Sequence, residues 1–286
     1  MENNVQIRNL TRSFGRFTLD DASFAVPAGS IVGFVGENGA GKTTTIKLLL
    51  NLIRRDAGQV DIFGKDNIEC EKEIKEEVGV VFDACCFPDT ATREDMDKIL
   101  RHVYKSWDSE AYFGYCNQFQ LPEREKIKKY SKGMKMKLSI AAALAHHPRL
   151  LVLDEPTSGL DPVVRSEILD IFLEFIQEED RSILFSSHIT SDVEKIADYV
   201  VLLHGGKVVL NEQKDDLLYR WGVMRCGRDK YYEVDESMVV RQRDTHYGHD
   251  LLVTDREAMA AKYPDVVIDR PTIEEIMLFY ADKKGA

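Results

Sequence analysis

Cysteine is scarce in this chain, and the few cysteines follow no pattern that would build a disulfide framework. There are five among 286 residues, an odd number without the spacing of a disulfide-stapled domain. The adjacent pair Cys85–Cys86 suggests metal or redox chemistry, but no Cys-x-x-Cys occurs and no His pair lies nearby at zinc-ligand spacing. We therefore predict buried free thiols. The five positions are Cys70, Cys85, Cys86, Cys116 and Cys226.

Long apolar runs are also missing. A membrane-spanning helix needs about 18 consecutive apolar residues, and the longest candidates, Ile31–Gly36 and Ile140–Ala145, have only the length of core segments. The sequence starts Met-Glu-Asn-Asn, without the charged and then apolar pattern of a signal peptide. These absences predict a cytosolic protein; if it serves a membrane, the membrane-embedded part is another chain.

A basic excess is absent as well. The chain carries 38 Lys and Arg against 49 Asp and Glu, a net charge of −11, so its overall charge does not attract nucleic acid. What is present, 44% hydrophobic and 30% charged residues, is typical of a soluble globular protein. The length fits one large domain, with or without a smaller second one.

Hydrophobic periodicity divides the chain into an alternating strand–helix part and a weaker C-terminal part. Strand patterns fill the first 30 residues and predict an N-terminal antiparallel β subdomain. Strands and helices then alternate, which is typical of a mainly parallel sheet covered by helices, apart from a helical insertion at about 92–147. In this insertion apolar residues recur with helical period, at Met96, Ile99, Leu100 and Val103 and again at Leu138, Ala141, Ala142 and Ala145. We predict one domain over 1–215 and a small α/β accessory region over 216–286. Further strands are predicted at Gln59–Phe63, Val78–Phe82, Leu150–Leu153 and Ser182–Phe185, and helices at Lys42–Ile53 and Pro162–Gln177.

The accessory region contains no motif that indicates chemistry. A strand is predicted at Asp250–Thr254, and two helices at Arg256–Lys262 and Thr272–Ala281. His246 and His249 are three residues apart, but no Cys or carboxylate cluster accompanies them at ligand spacing. We therefore predict solvent-exposed loop histidines rather than a metal site.

The strongest motif is a phosphate-binding loop. The segment GENGAGKT fits G-x-x-x-x-G-K-[ST] and lies between a predicted strand and a predicted helix, the context that this motif requires. Its glycines let successive backbone N–H groups face phosphate oxygens, and the helix N-terminus adds partial positive charge. The lysine faces the outer phosphates and the first threonine can bind magnesium. The predicted nucleotide-binding residues here are Gly36, Glu37, Asn38, Gly39, Ala40, Gly41, Lys42, Thr43 and Thr44.

A pair of acids follows the apolar strand Leu150–Leu153. Asp154, at the end of a buried strand beside a phosphate loop, is the expected second magnesium ligand. Glu155 faces the other side of the strand end, where it can orient or deprotonate an attacking water. The alternative is an acidic cap before the turn that starts at Pro156. The two motifs together predict a P-loop NTPase core.

Three further segments, in order along the chain, give the sequence a resemblance to one family. The segment Tyr130–Lys135 opens a helix between the P-loop and the acid pair, Ser158–Asp161 follows the pair, and Ser187-His188 ends a later strand. In this order they resemble the signature, the aspartate loop and the switch histidine of the ATP-binding subunits of ABC transporters. The resemblance covers about residues 1–215. GTPases and kinases share the P-loop but lack this signature.

The resemblance implies that two such subunits bind two ATP molecules head to tail, with magnesium, so that each ATP contacts the P-loop of one subunit and the signature of the other. A second copy or a related subunit is therefore an expected partner. Ser131, Gly133 and Met134 of the signature, with Asp161, would then contact nucleotide across the interface, and His188 would contact the γ-phosphate. The family also stacks an aromatic residue on adenine; Phe14 matches that position best, with Phe17 as the alternative.

Two departures from the family pattern stand out. Met134 and Lys135 replace the Gly and Gln of many members, in a form that resembles exporter-type subunits. Asp83, whose side chain is shorter and charged, stands where the family has a glutamine that contacts magnesium and the transmembrane subunit. A carboxylate can still bind magnesium, and we predict Asp83 as a third metal ligand with Thr43 and Asp154. The alternative is a cap of the loop before Cys85.

Basic residues concentrate in 122–138, with seven Lys and Arg against two Glu. Either they form a solvated helical face, or they attract ATP or an acidic, membrane-proximal surface. The predicted function is an ATP-hydrolysing subunit of a transporter, with an exporter as the favoured direction, at the inner face of the cell membrane. The alternative is an ABC ATPase that acts as a clamp or assembly factor without a membrane subunit. Substrate and partner identity are not written in this chain.

Overall fold

The computed structural model describes residues 2–227, 231, 234–246 and 248–281. Its strands are β1 Asn3–Phe14, β2 Phe17–Pro27, β3 Ile31–Val35, β4 Ala57–Ile62, β5 Lys65–Asp66, β6 Val78–Val81, β7 Leu150–Asp154, β8 Ser182–Ser187, β9 Tyr199–His204, β10 Lys207–Gln213, β11 Gly222–Cys226, β12 Val239–Thr245, β13 Gly248–Val253 and β14 Ile268–Asp269. Its α-helices are α1 Lys42–Leu49, α2 Glu71–Glu76, α3 Arg93–Leu100, α4 Ser109–Gln118, α5 Lys132–Leu144, α6 Pro162–Phe175, α7 Thr190–Ile196, α8 Arg256–Lys262 and α9 Ile273–Ala281.

The central sheet has six strands in the order β10-β9-β3-β8-β7-β6, and all neighbours are parallel except β10 and β9. Every residue of β3, β7 and β8 is buried, which explains their unbroken apolar runs, since helices cover both faces of a parallel sheet. Parallel strands end at one edge. The segments that follow β3, β6, β7 and β8 therefore meet there, as ligand-binding segments do in open α/β sheets.

An antiparallel sheet in the order β2-β1-β4-β5 forms the N-terminal subdomain, as the sequence predicts. Alternate β1 residues, Val5 and Ile7 among them, are fully buried and pack in one cluster with Ile46 of α1 and Val32 of β3. The β1–β2 hairpin closes where Phe14 pairs with Phe17. The packing therefore holds the hairpin tip near the start of α1.

The insertion is helical, as predicted, and consists of α3, α4 and α5. The helix periodicity of α5 is confirmed, because Leu138, Ala141 and Ala145 are buried. In α3 only part of the predicted apolar face points inward: Met96 is buried, whereas Ile99 is exposed. The helix also ends at Leu100, so Val103 lies beyond it and is exposed.

The C-terminal region adds a sheet in the order β12-β13-β11-β14 with helices α8 and α9. The predicted strand and both helices are found, whereas β11, β12 and β14 were not predicted. The loop assignment of His249 is wrong: it lies in β13, stacks on the Tyr231 ring at 4.2 Å, and has Nδ1 2.9 Å from Asp244. His246 is exposed, as expected. The division between 215 and 216 stays a prediction, and Leu217 and Phe279 pack in the same apolar cluster as α6.

All five cysteines are free, but only Cys116 and Cys226 are buried. The prediction of burial is therefore wrong for the exposed Cys86 and for the half-buried Cys70 and Cys85. Apolar packing raises the pKa of the Cys116 thiol to about 11.

In the part of the chain that the structure describes, no helix combines the length and the apolar character that crossing a membrane requires.

Candidate active site

A cavity of about 520 Å³ opens at the edge where the parallel strands end. We call it the P-loop cavity. Four of the eleven lining residues are acidic and one is basic. The lining residues are Phe17, Glu37, Asn38, Gly39, Gly41, Lys42, Thr43, Thr44, Asp83, Asp154 and Glu155. The P-loop, the acid pair and Asp83, which lie far apart in the sequence, are therefore brought together.

The P-loop wall presents backbone groups. Gly41 precedes α1 with φ +115°, and a β-carbon there would lie 2.7 Å from the Phe17 ring, so both conformation and space require glycine. No side chain caps α1. The first N–H groups of the helix are therefore available to an anion, with the hydroxyl groups of Thr43 and Thr44 beside them at the cavity wall.

Lys42 is held at the centre of this wall. Its side chain is only 6% exposed, its ammonium donates to the Gly36 carbonyl at 2.6 Å, and Nζ lies 3.2 Å from Oε1 of Glu155. A buried ammonium needs such partners because its desolvation is unfavourable. Phosphate oxygens of a bound ligand would supply the same kind of partner.

The acid pair is fixed by the neighbouring strand β8. Asp154 is buried and accepts a hydrogen bond from Oγ of Ser186 at 2.8 Å. The backbone N–H of Glu155 lies 3.1 Å from the same Oγ, and Glu155 adopts φ +54°, which is uncommon for a residue other than glycine. Both residues line the P-loop cavity, but their carboxylates have different partners: Ser186 for Asp154, and Lys42 and His188 for Glu155. Ser186 was not predicted; its signal in the sequence was a buried polar residue at the end of an apolar strand.

His188 completes a chain of polar side chains. Its Nδ1 lies 2.6 Å from Oε2 of Glu155, whose other oxygen faces Lys42. Glu155 and His188 directly follow the parallel strands β7 and β8, whereas Lys42 begins α1. His188 is the exposed end of the chain, at 41%. A carboxylate held between an ammonium and an imidazole can orient a water and accept its proton. His188 itself does not line the P-loop cavity but lies beside it through Glu155.

The cavity also suits a hard divalent cation. Thr43, Asp83 and Asp154 offer a hydroxyl and two carboxylates on its walls, and magnesium prefers oxygen ligands, commonly one or two carboxylates together with phosphates and waters. Among the residues that the structure describes, no three His, Cys, Asp or Glu side chains are grouped closely enough to hold a metal by themselves. Phosphate oxygens would therefore have to complete the set.

Asp83 faces two ways. It lines the P-loop cavity, and it also lines a second cavity of about 430 Å³ together with Lys132 and Lys135. Its Oδ1 accepts a hydrogen bond from Nζ of Lys132 at 3.4 Å. The Asp83 side chain is 59% exposed and the Lys132 side chain is 50% exposed. Like Ser186, Lys132 was not predicted as a site residue, although it lies inside the signature segment.

The predicted signature residues do not line the P-loop cavity of their own chain. Ser131 caps α5 by accepting from the Met134 N–H at 3.2 Å, and Gly133 lies against Val164. Asp161 caps α6 in the same way. The basic residues 122–138 are in part paired with acids, through Lys132–Asp83, Lys135–Asp89 and Lys137–Glu167, which favours the solvated-face interpretation for this segment.

The two aromatic candidates occupy different positions. Phe17 lines the P-loop cavity and packs toward Gly41, whereas Phe14 lies opposite it at the hairpin tip, 40% exposed. One face of the Phe14 ring carries the Arg12 guanidinium at 4.7 Å. The first choice for the base-stacking residue is therefore outside the cavity lining, and the alternative is inside it. The assignment stays a prediction.

Comparisons with known proteins identify the relatives of this chain. The family model described as ABC transporter matches residues 19–158. The bacitracin transport ATP-binding protein BcrA of Bacillus licheniformis is 36% identical over 253 residues, which are 86% of this chain and 80% of that protein. The lantibiotic transport ATP-binding protein SrtF of Streptococcus pyogenes is 30% identical over 214 residues, 74% of this chain and 91% of that protein.

Solved structures share the fold. An ATP-binding subunit of an ABC transporter superposes with a TM-score of 0.68 at 27% identity, over 74% of this chain and 91% of that one. A dimeric ATP-binding cassette with ADP and phosphate superposes with a TM-score of 0.66 at 21% identity, over 73% and 98% of the two chains. The predicted fold class, a P-loop NTPase core with a mainly parallel sheet, is confirmed.

Proposed function

Because the chain belongs to the family of ABC transporter ATP-binding proteins, we propose that its P-loop cavity binds ATP with magnesium and that Glu155 directs hydrolysis. The chain is an ATPase subunit that powers a membrane transporter whose transmembrane part is a separate chain. The roles of individual residues, the assembly and the direction of transport are our proposals.

The chain of contacts from Lys42 through Glu155 to His188 carries this proposal. Lys42 would exchange its carbonyl partner for the outer phosphates, as a cation beside helix N–H groups does in phosphate loops. Glu155, released from Lys42 but still 2.6 Å from His188, would orient the attacking water and take its proton. His188 would keep the Glu155 carboxylate aimed and face the γ-phosphate from its exposed side.

Thr43, Asp154 and Asp83 are the residues that would hold magnesium. The ion, when bound, neutralises phosphate charge and polarises the phosphoryl group. Asp154 is suited to bind the ion because a hydrogen bond of 2.8 Å from Oγ of Ser186 holds its Oδ1 in place. Fixed oxygen donors favour a small cation with strict geometry.

The position of the signature segment supports a two-subunit site. Ser131 and Gly133 lie outside the P-loop cavity of their own chain, at the N-terminus of α5, where an anion is favoured. We therefore propose that a second ATP-binding subunit, a copy of this chain or a related one, presents its Ser131, Gly133, Met134 and Asp161 to the nucleotide. In a strict monomer these residues would have no contact with nucleotide.

The form of the signature favours export. BcrA and SrtF are named for bacitracin and lantibiotic transport, and in this chain the Ser-x-Gly-Met form of the signature resembles exporter-type subunits. We propose a subunit bound to the inner face of the membrane through an exporter-type permease. Co-expression with a permease encoded by a neighbouring gene tests this: the chain should be in the membrane fraction when the permease is present and in the soluble fraction when it is omitted. A chain that stays in the soluble fraction in both cases would favour the clamp-type ATPase.

Glu155→Gln is the direct test of the proposed chemistry. The amide keeps the shape and loses the base, so ATP binding should persist while turnover falls at least about 100-fold. The matched control is Glu77→Gln, which alters a carboxylate paired with Arg149 at 3.1 Å, away from the cavity, and should hydrolyse ATP normally. Size-exclusion chromatography of the Glu155→Gln protein with ATP should show a dimer. Undiminished turnover would exclude Glu155 as the base.

A further inference from the structure

The P-loop cavity carries an excess of negative charge for a site that takes a polyphosphate. Glu37, Asp83, Asp154 and Glu155 line it, against Lys42 as the basic residue of the lining. Glu155 is compensated by Lys42, and Glu155 and Glu37 each lie beside a histidine, His188 and His204, that compensates them only when it is protonated. Asp154 accepts a hydrogen bond from Ser186. Asp83 is the lining acid whose compensating charge comes from a lysine outside the cavity.

That compensation comes from the signature segment. Nζ of Lys132 lies 3.4 Å from Oδ1 of Asp83. The stem of Lys132 passes over Gly159, whose missing side chain leaves it room: a β-carbon there would lie 3.1 Å from Nζ. Because Lys132 stands between Ser131 and Gly133, this ion pair joins the cavity of a subunit to its own signature.

We propose that Lys132 is a positioning residue for ATP and magnesium that acts through Asp83. While Lys132 holds Asp83, the carboxylate charge is partly neutralised, which favours the entry of metal-free ATP and opposes a divalent cation. When a divalent cation binds, it competes with Lys132 for the same carboxylate and leaves the ammonium free at the signature. The inference rests on the proposed function, because it assumes that the P-loop cavity takes ATP and magnesium.

A matched ion pair lies outside both the cavity and the signature. Nζ of Lys195 lies 3.5 Å from Oδ1 of Asp170, and the two side chains are 44% and 62% exposed, close to the values for Lys132 and Asp83. Neither residue lines the P-loop cavity. Lys195→Met therefore removes the same charge and the same kind of ion pair without an effect on a carboxylate of that cavity.

The test measures two equilibria with opposite expected signs. One is ATP binding in EDTA; the other is Mn²⁺ binding, followed by its EPR signal, with a non-hydrolysable ATP analogue present. Lys132→Met keeps the stem and removes the charge, so it should weaken metal-free ATP and tighten Mn²⁺, each about twofold to fivefold, the range of an exposed ion pair. Lys132→Arg should restore both values, and Lys195→Met should match wild type.

Asp83→Asn decides whether Lys132 acts through Asp83. Alone, it should tighten metal-free ATP and weaken Mn²⁺. In that background Lys132→Met should change either affinity by less than about 1.5-fold, because contacting residues are non-additive. Equal effects of Lys132→Met with and without Asp83, or shifts of ATP and Mn²⁺ in the same direction, would overturn the inference. If wild type bound no ATP at all, the proposed function itself would fail.

Discussion

The two charged walls of the P-loop cavity differ in how firmly their groups are held. On the P-loop wall Lys42 and Glu155 are 6% and 14% exposed, and each has at least two partners at hydrogen-bonding distance. On the opposite side, which we call the signature wall, Asp83 lines the cavity and Lys132 contacts it from outside. Lys132 and Asp83 are 50% and 59% exposed and meet through one contact of 3.4 Å. The buried groups of the P-loop wall are therefore held in one geometry, whereas the exposed groups of the signature wall can exchange partners at a small cost in free energy.

The difference has an energetic consequence. Removal of one member of a buried charged pair typically costs about 2–5 kcal/mol, because the other charge is left without compensation. An exposed pair contributes about 0–1 kcal/mol. Substitutions on the P-loop wall should therefore abolish steps of the reaction, and substitutions on the signature wall should adjust affinities.

Lys42→Ala should have the largest effect. It removes the ammonium that faces the outer phosphates and leaves Glu155 without its buried partner, so ATP affinity should fall on the order of 10³-fold. Isothermal titration calorimetry measures this directly. Lys47→Ala, on the exposed face of the same helix, is the control and should bind ATP as wild type does. Micromolar affinity of the Lys42→Ala variant for ATP would contradict the expected difference between the two walls.

His188→Ala should come next. The substitution removes the group that lies 2.6 Å from Glu155, so turnover should fall about 10²-fold while ATP binding persists. His147→Ala is a matched control, because it removes a histidine 3.2 Å from Asp108 outside the cavity. Phosphate release at saturating ATP reports the difference. Equal turnover in both variants would show that His188 has no role in ATP hydrolysis.

The aromatic pair should show the smallest of these effects. Phe14 is exposed and offers one free ring face, so Phe14→Leu should weaken ATP about 10-fold through loss of base stacking. Phe17→Leu keeps apolar bulk near Gly41 and should have less effect. Competition with a fluorescent ATP analogue can rank the two variants. A larger loss in Phe17→Leu would move the stacking role to Phe17, the ring that lines the cavity.

The sequence predicted the residues of the P-loop wall because each belongs to a motif with fixed local spacing. The buried strands that end at Val35, Asp154 and Ser187 were visible as apolar runs, and parallel pairing then places their ends at one edge. Partners across that edge were not visible. Ser186, which fixes Asp154, and Lys132, which holds Asp83, depend on which strand or helix lies beside which, and that is a tertiary property.

Burial was the other weak point. Cys86 and His249 were assigned from residue type and composition, yet Cys86 is exposed and His249 packs against Tyr231 in a strand. In the C-terminal sheet β12 has a burial pattern without clean alternation, so it lacks the two-residue period that identifies a half-buried strand. The residues of the P-loop and the acid pair thus line one cavity, whereas periodicity missed part of the structure around it.

The central claim is that each nucleotide site takes its P-loop from one chain and its signature from another. It can be tested with two variants that are inactive for different reasons. Lys42→Ala disables the P-loop, and Gly133→Asp places a negative charge at the signature. A β-carbon at Gly133 would make only ordinary contacts with Val164, the nearest at 3.4 Å, so the second variant should fold.

The decisive measurement is ATP hydrolysis by the mixture of these two variants. A mixed dimer has one doubly damaged site and one intact site, so the mixture should regain activity, up to about one quarter of wild type if the chains associate at random and the sites act independently. Each variant alone should stay near background. If the mixture never exceeds the average of its two components at any ratio, the signature of one chain does not complete the site of another, and the account is contradicted.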